Sequence, residues 1–302
     1  MAFRKRIGLR LAPVVLLGLL LGNAFVWSRL PIRRPSELTV TGLDVGQGNC
    51  VFVGLPSGQN LLYDAGTAGS FDVGRNVVAP FLWHEGVRTI DALFISHPHG
   101  DHDNGVPALL ERFRVRRVFV NEQFGQSKSG PGVLDAIRGH GIAVTRVAQG
   151  DRIEFAGGVS ATVLFPPAHV SRRLALSTND LSTVLRLDWR DRRVLLCGDV
   201  QTNGIHLLLK SGPDLACDMI QVPHHGLRAR NSDDLAKSAQ PRFALVSALG
   251  HIPSEDTLRA YRRAKSLVLP THAMGGVTMS FGRDGRVTAN GFVFGPILDS
   301  GR

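Results

Sequence analysis

The sequence predicts an α/β body in which stacked sheets are faced by helices, and two patterns carry this prediction. Short β-branched and leucine-rich runs, typical of strands, recur from residue 38 onward. Segments with helical periodicity alternate with them, more often toward the carboxyl end. The 302 residues are 43% hydrophobic and 20% charged, a globular composition that argues against disorder, collagen, coiled coil and a polytopic membrane protein.

The predicted elements follow in order along the chain. Strands are expected at Leu38–Val45, Cys50–Leu55, Asn60–Asp64, Ala92–Ser96, Val115–Val120, Ala143–Val147, Val159–Phe165, Thr183–Leu187, Arg193–Cys197, Met219–Val222 and Phe243–Ser247. Helices are expected at Val73–Trp83, Asn104–Arg112, Val133–Arg138, Thr202–Leu209, Ser232–Ala239 and Ser254–Ala264. The Asp284-Gly285 pair predicts a hairpin turn between two further strands, Val277–Phe281 and Arg286–Ala289.

The first 34 residues have the character of a targeting segment. They hold seven basic residues and no acidic one, which explains much of the formal charge of +10. Leu11–Trp27 is uncharged and would span roughly 26 Å as a helix, just under the hydrocarbon core. Four basic residues precede it and three follow, so the body is expected outside the cytoplasmic membrane. Residues 1–34 are therefore a cleaved signal peptide or a single membrane anchor plus linker, and 35–302 form the body.

The decisive motif is His-Pro-His-Gly-Asp-His at residues 97–102, directly after a predicted strand and before a predicted helix. A strand-end loop of this spacing lets His97 and His99 point at one metal ion, while Asp101 and His102 point at a neighbouring one. Imidazole and carboxylate ligands together suit zinc, manganese or iron. Packing gives no reason for this density of polar groups, so the motif predicts a metal site.

Two other strand ends supply further candidate ligands. Asp199 follows Gly198 after an apolar strand, and its carboxylate is suited to bridging two cations. His224 and His225 follow another strand, and one of them is expected to bind metal while the other contacts substrate or leaving group. The sequence thus predicts a binuclear site whose ligands come from distant strand ends.

These motifs resemble the metallo-β-lactamase-fold hydrolases, and specifically the hydrolase domain of the ComEC competence proteins. The matching segments, spread over about residues 38–290, are Asp44–Asn49, Asp64–Gly66, His97–His102, Cys197–Asp199 and Val222–Gly226. By this resemblance the fold is an αββα four-layer sandwich with the metals at one edge of the two facing sheets.

The resemblance also implies ligand roles. Two divalent ions, zinc or manganese, are expected, with His97 and His99 on the first, Asp101, His102 and His225 on the second, and Asp199 bridging them. His224 would face a phosphate and, with Asp101, is the candidate catalytic residue. Asp64 would brace the histidine loop, and Asp44 and Gln47 would line the site or merely shape a turn.

The third ligand of the first metal is open. Many members of the family have a further lone histidine in mid-chain, and here only His169 is near a strand end. ComEC-like proteins instead have an asparagine-rich element, which Asn179–Ser182 resembles. The candidates are His169, Asp180 or no third side chain. His251 is weighed as a residue at the site edge.

The resemblance implies phosphodiester hydrolysis, namely nuclease action on DNA outside the cytoplasmic membrane. The alternative is a small-molecule phosphodiesterase or an ester, thioester or lactone hydrolase of the same fold. The chain would reach the membrane through its amino-terminal segment, and a separate membrane channel is a candidate partner. Basic clusters offer phosphate contacts or simply a solvated surface, at Arg112–Arg117, Arg172-Arg173, Arg190–Arg193 and Arg259–Lys265.

Overall fold

The computed structural model describes residues 13–23, 36–127, 130–171, 174–293 and 295–297. The chain divides into a first unit, Met1–Arg34, and a body, Pro35–Arg302. Helix α1 covers residues 13–23 of the first unit, and the basic flanks of the predicted segment Leu11–Trp27 lie outside the described residues. Within the described ranges, no helix is both long and apolar enough to cross a membrane. The anchor and the signal peptide both stay predictions.

The body is built from short strands and helices in alternation. Its strands are β1 (Leu38–Gly42), β2 (Val51–Gly54), β3 (Asn60–Tyr63), β4 (Thr89–Ile90), β5 (Ala92–Ile95), β6 (Arg114–Val115), β7 (Val118–Asn121), β8 (Val144–Val147), β9 (Arg152–Phe155), β10 (Val159–Phe165), β11 (Val184–Trp189), β12 (Arg192–Leu196), β13 (Met219–Gln221), β14 (Phe243–Val246), β15 (Leu267–Pro270), β16 (Val277–Phe281), β17 (Val287–Gly291) and β18 (Gly295–Ile297). Its helices are α2 (Ala79–His84), α3 (Gly100–Asp103), α4 (Val106–Arg112), α5 (Gly130–Gly139), α6 (Thr202–Ser211), α7 (Ser232–Ala239), α8 (Glu255–Arg263) and α9 (Thr271–Met274).

Two large sheets form the centre of the body. In the described residues the first has the order β18-β17-β16-β1-β2-β3-β5-β7-β8 and the second β15-β14-β13-β12-β11-β10-β9, while β4 and β6 form a small separate pair. Each large sheet combines an antiparallel part with a parallel part. The parallel neighbours are β3, β5, β7 and β8 in the first sheet and β12 to β15 in the second.

The apolar side chains divide into three layers. Along β3, Leu61 and Tyr63 belong to the core between the two sheets, whereas Leu62 belongs to the cluster on the opposite face. This alternation follows from the two-residue period of a strand. The outer cluster of the first sheet includes residues of α2, α4 and α5, and that of the second includes residues of α6, α7 and α8. The predicted αββα four-layer sandwich is confirmed.

Several element boundaries differ from those predicted. The run Val115–Val120 splits into β6 and β7, because the Arg116 N–H bonds the Ile90 carbonyl in the small pair before the chain enters the first sheet. The hairpin around Asp284-Gly285 forms as predicted, with Phe281 paired to Val287.

The parallel strands bring their carboxyl ends to the edges where the candidate ligands lie. Asp64 directly follows β3 and His97 lies just beyond β5, and these two strands are parallel neighbours. Asp199 follows β12, and His224 and His225 follow β13, again parallel neighbours. Carboxyl ends of adjacent parallel strands form a crevice, so this pattern gathers residues from distant parts of the chain.

Candidate metal centre

Asp64 holds the histidine loop at the end of β5. Its Oδ1 accepts the backbone N–H of Ser96 at 2.6 Å. Its Oδ2 accepts the Ser96 hydroxyl at 2.8 Å, Nδ1–H of His102 at 2.7 Å and the Asn49 amide at 2.9 Å. Asp64 and His102 are fully buried, so four donors converge on a carboxylate shielded from water. This arrangement fixes the His102 ring and directs its Nε2 away from Asp64.

Asp199 is placed by the turn after β12. Gly198 has a positive φ of 55°, and a Cβ at that position would lie 2.8 Å from the Ser96 side chain. The backbone N–H of Gly198 donates to the Gln221 side-chain oxygen at 2.8 Å, and that of Asp199 donates to the Ser182 hydroxyl at 3.1 Å. Glycine is thus required both for the left-handed turn and for the close approach to the histidine loop.

His225 reaches the same point through a strained turn after β13. His224 and His225 have φ values of 52° and 55°, in the left-handed region that non-glycine residues rarely occupy. The His225 Nδ1–H donates to the Ser247 carbonyl at 2.8 Å, and this bond directs Nε2 inward. The backbone N–H of His224 donates to the Gly198 carbonyl at 3.0 Å, which joins the two turns.

Asp101, His102, Asp199 and His225 converge on one point, with one ligand atom from each within 4.8 Å of all the others. His102 Nε2 lies 3.0 Å from Asp199 Oδ1, and His225 Nε2 lies 3.4 Å from both Asp199 Oδ2 and Asp101 Oδ2. Ligand atoms of a tetrahedral site with bonds of about 2.0–2.1 Å lie roughly 3.3 Å apart. The spacing therefore fits a shared ion.

The donor atoms themselves support this fit. His102 Nε2, Asp199 Oδ1 and His225 Nε2 are buried, and within the described residues the contacts of 3.0 to 3.4 Å among these three side chains lack the geometry of a hydrogen bond. Buried polar atoms without a partner are costly and rare. A divalent ion would satisfy all three, and both imidazoles already direct their other nitrogen to an oxygen acceptor, as metal-binding histidines do.

The cluster is strongly coupled electrostatically. Burial alone would lower the pKa of His102, but the charges of Asp199 and Asp64 raise it well above its ordinary value. Burial would likewise lower the pKa of His225, but its interactions with Asp199 and Asp101 outweigh burial and raise this pKa to about 9. Burial would raise the pKa of Asp101, yet the close contact with His225 Nε2 and the charge of His102 lower it to about 2. His102 and His225 are therefore protonated near pH 7 when no metal ion is bound.

His97 and His99 form a separate pair. His97 Nε2 lies 3.1 Å from His99 Nδ1, a spacing that also suits two ligands of one ion. Burial, aided by the nearby charge of His102, lowers the pKa of His97 well below its ordinary value. His97 is thus a neutral imidazole with a lone pair to offer.

The structure places both candidates for a third ligand in other roles. His169 is exposed and lies in a different groove, which Phe165 and Leu207 help to line. Asp180 is buried, but its carboxylate accepts bonds from the Ser177 hydroxyl and from the backbone N–H of Gly204 in α6. These contacts make Asp180 a structural residue at the start of that helix.

The remaining predicted residues surround the cluster. His224 Nε2 lies 3.9 Å from Asp199 Oδ2. The Gln201 amide nitrogen lies 3.2 Å from Nδ1 of His224. Burial lowers the pKa of His224, so the ring is neutral near pH 7. The Asp44 carboxylate accepts the Gly46 N–H within its own turn, whereas the Gln47 side-chain oxygen accepts the N–H of Leu249, which is distant in the chain.

Two supporting residues, Ser96 and Gln221, were not identified from the sequence. Ser96 bonds Asp64 and lies 3.0 Å from His97 Nδ1, and Gln221 is a fully buried amide within a strand. A polar residue in an apolar strand just before a ligand turn was the available hint for Gln221. His251 is exposed and is not one of the four residues whose ligand atoms converge.

Comparison with known proteins places this site in a family. The model of the metallo-beta-lactamase superfamily matches residues 43–251. The chain is 29% identical to ComE operon protein 3 of Bacillus subtilis, over 80% of this chain and 32% of that protein. It is also 29% identical to competence protein ComA of Neisseria gonorrhoeae, over 93% of this chain and 37% of that protein. The chain therefore spans about a third of the length of these relatives.

A solved structure shows the same fold. CmlA, a diiron beta-hydroxylase from Streptomyces venezuelae, superposes with a TM-score of 0.50 at 16% identity, over 82% of this chain and 54% of that one. This likeness concerns the fold alone. The family match covers the histidine loop, Asp199 and His225 together, and so the chain belongs to the metallo-beta-lactamase superfamily, as a metal-dependent hydrolase related to competence proteins.

Proposed function

We propose that the protein hydrolyses phosphodiesters and that its substrate is DNA. The observation that carries the proposal is the position of His224, a neutral imidazole beside the buried cluster of Asp101, His102, Asp199 and His225. The names of the competence relatives support DNA as the substrate, although the chain spans only a third of their length.

Each residue of the cluster has a proposed role in hydrolysis. His97, His99, Asp101, His102, Asp199 and His225 would hold two divalent ions, zinc or manganese. Such ions supply Lewis-acid polarisation of a phosphoryl oxygen and a lowered pKa of water. The Gln201 amide nitrogen lies 3.2 Å from Nδ1 and 3.3 Å from Nε2 of His224 and so holds the ring beside the cluster, where its N–H would donate a hydrogen bond to a phosphate oxygen or to the leaving group. Asp101 is partly exposed and is the cluster's carboxylate nearest to solvent, suited to orient water.

Several arginines of the basic clusters are already paired with carboxylates. Arg259 and Arg262 pair with acidic neighbours on their own helix, and Arg263 pairs with Asp233. Arg193 likewise pairs with Asp214. Arg172-Arg173 lie outside the described residues. Exposed pairs of this kind are weak, but they reduce the net charge offered to phosphates.

The test compares substrate classes on the full chain reconstituted with zinc or manganese. Steady-state rates on single-stranded DNA, bis-p-nitrophenyl phosphate and a lactone should rank the two phosphodiesters first. A lactone or thioester preferred over both would favour the acyl-hydrolase alternative. Metal content is measured on the same samples, and a folded protein that takes up no metal would overturn the proposal.

The proposed location is outside the cytoplasmic membrane, with the membrane reached through residues 1–34. The support is the excess of basic residues before Leu11 over those after Trp27. A reporter that is active only after export, fused at Arg302, should be active. An inactive fusion beside an active cytoplasmic reporter would reverse the topology, and would also exclude a membrane channel partner on the outer side.

A further inference from the structure

Ser96, the residue just before the histidine loop, contacts histidines from both groups of candidate metal ligands. Its Oγ lies 2.8 Å from Asp64 Oδ2 and 3.0 Å from Nδ1 of His97. Its distance to Nδ1 of His102 is longer, 3.3 Å, and that nitrogen lies closer to Asp64 Oδ2, at 2.7 Å. All four side chains belong to residues with no exposed surface, so their polar atoms have to satisfy one another.

The Ser96 hydroxyl has one hydrogen to donate, and Asp64 takes it. An ionised carboxylate can only accept hydrogen bonds, and it is a stronger acceptor than a neutral imidazole nitrogen. The Ser96 backbone N–H also donates to Asp64 Oδ1 at 2.6 Å, so the two residues are held together at two points. A lone pair of Ser96 Oγ is therefore left for His97, whose Nδ1 has to supply the proton of that hydrogen bond.

The position of that proton determines what His97 offers to a metal ion. A neutral imidazole carries a single ring proton, so a proton on Nδ1 leaves the lone pair on Nε2. Nε2 is the atom that faces Nδ1 of His99 at 3.1 Å, the spacing that suits two ligands of the first ion. The opposite tautomer would place a proton on Nε2 and block that ion.

We propose that Ser96 is a positioning residue that passes the hydrogen-bond direction set by Asp64 on to His97, and we name this arrangement the serine relay. Asp64 acts on His102 directly and on His97 through the Ser96 hydroxyl, so that one carboxylate fixes the ligand tautomers at both metal sites. The inference rests on the two-ion arrangement of the proposed function, and it does not depend on the identity of the substrate.

Two single-site backgrounds of the full chain separate the ions. His225→Ala removes a ligand of the second ion and His99→Ala removes one of the first, so the zinc affinity of each variant reports the remaining site. In the His225→Ala chain, Ser96→Ala should weaken zinc binding by about 10–100-fold, the usual effect of removing the partner of a ligand histidine. In the His99→Ala chain, Ser96→Ala should change zinc affinity by less than about threefold, because Asp64 still holds His102.

Asp64→Asn should weaken zinc binding in both backgrounds. An amide group placed beside Ser96 donates to its Oγ and turns the Ser96 hydrogen toward His97 Nδ1, which reverses the tautomer. The matched control is Ser266→Ala, which removes another buried hydroxyl, one that donates to the Pro241 carbonyl at 2.6 Å, and it should leave both affinities unchanged. The serine relay is overturned if Ser96→Ala weakens neither site or both sites equally, or if Asp64→Asn weakens only the second.

A spectroscopic measurement distinguishes the serine relay from a mere loss of packing. In the zinc-saturated full chain with isotope-labelled histidine, the His97 Nδ1–H that bonds Ser96 should give a ring N–H resonance that Ser96→Ala shifts upfield, while the resonance of His102 stays in place. A His97 resonance that does not shift overturns the relay. Hydrolysis of methyl p-nitrophenyl phosphate is followed in parallel: wild-type turnover without the site-selective effect of Ser96→Ala refutes the relay alone, whereas that effect without turnover supports the relay and refutes the proposed function.

Discussion

Asp64→Asn tests whether Asp64 sets the protonation of a metal ligand. An asparagine of equal size must place an NH₂ group where one carboxylate oxygen was. At the Oδ1 position it would face the Ser96 backbone N–H, a donor that has no alternative role. At the Oδ2 position it faces the Ser96 hydroxyl, the Asn49 amide and His102 Nδ1, all of which can switch from donor to acceptor. The second placement is therefore favoured.

That placement has a specific consequence for His102. If Nδ1 accepts a hydrogen bond, the ring proton of the neutral imidazole moves to Nε2, the atom that faces Asp199 at 3.0 Å. A protonated Nε2 has no lone pair for a metal ion. Loss of such a supporting partner typically weakens metal binding by about 10–100-fold. The imperfect hydrogen bonding left behind should also lower the free energy of unfolding by about 1–3 kcal/mol.

The two effects are measured separately. Zinc affinity comes from competition with a chromophoric chelator at fixed pH, and stability comes from urea unfolding in excess chelator. Asp191→Asn, at an exposed side chain, is the matched control and should change neither quantity. Zinc affinity within about threefold of wild type, alongside the expected loss of stability, would refute the protonation argument, since the effect lies well below that predicted.

Three other predictions concern the same cluster. Asp199→Ala should lose metal and activity far more than His169→Ala, measured by elemental analysis and rates; equal values in the two variants would contradict the ligand assignment. Zinc binding at pH 7 should release about two protons, because His102 and His225 have pKa values above that pH without metal, and affinity should rise toward pH 9. Calorimetry in buffers of different ionisation enthalpy counts these protons, and release of fewer than one is inconsistent with the charge state. His224→Ala should lower kcat on phosphodiesters by about 100-fold while metal content is kept; loss of metal would instead make His224 a ligand.

The sequence predicts what depends on local pattern. Ser232–Ala239 is helical over the predicted range, and the candidate ligands lie at strand ends as expected. Strands β9 and β15 were missed because they are the edge strands of their sheet. Their exposed positions, and the proline that ends β15, weaken the apolar pattern on which prediction depends.

The supporting network could not be predicted, because its partners are distant in the chain. Asp64 lies 32 residues from Ser96 and 38 from His102, and Gln221 lies 23 from Gly198. Strand pairing alone brings these groups together. A single sequence contains no local pattern for such contacts, so the ligand types could be inferred while the groups that orient them could not.

The hydrogen bonds around the ligand turns explain how their strained backbone conformations are kept. Asp64, His224 and His225 have φ values of 60°, 52° and 55°, and non-glycine residues in such conformations cost of order 1–3 kcal/mol each. Each is held by bonds that relaxation would break: the four donors on the Asp64 carboxylate, the His224 N–H to the Gly198 carbonyl, and His225 Nδ1–H to the Ser247 carbonyl. A sharp left-handed turn lets a side chain that leaves a strand end point across the edge between the sheets. The conformation therefore serves the convergence of ligands from both sheets, and these bonds maintain it independently of any ion.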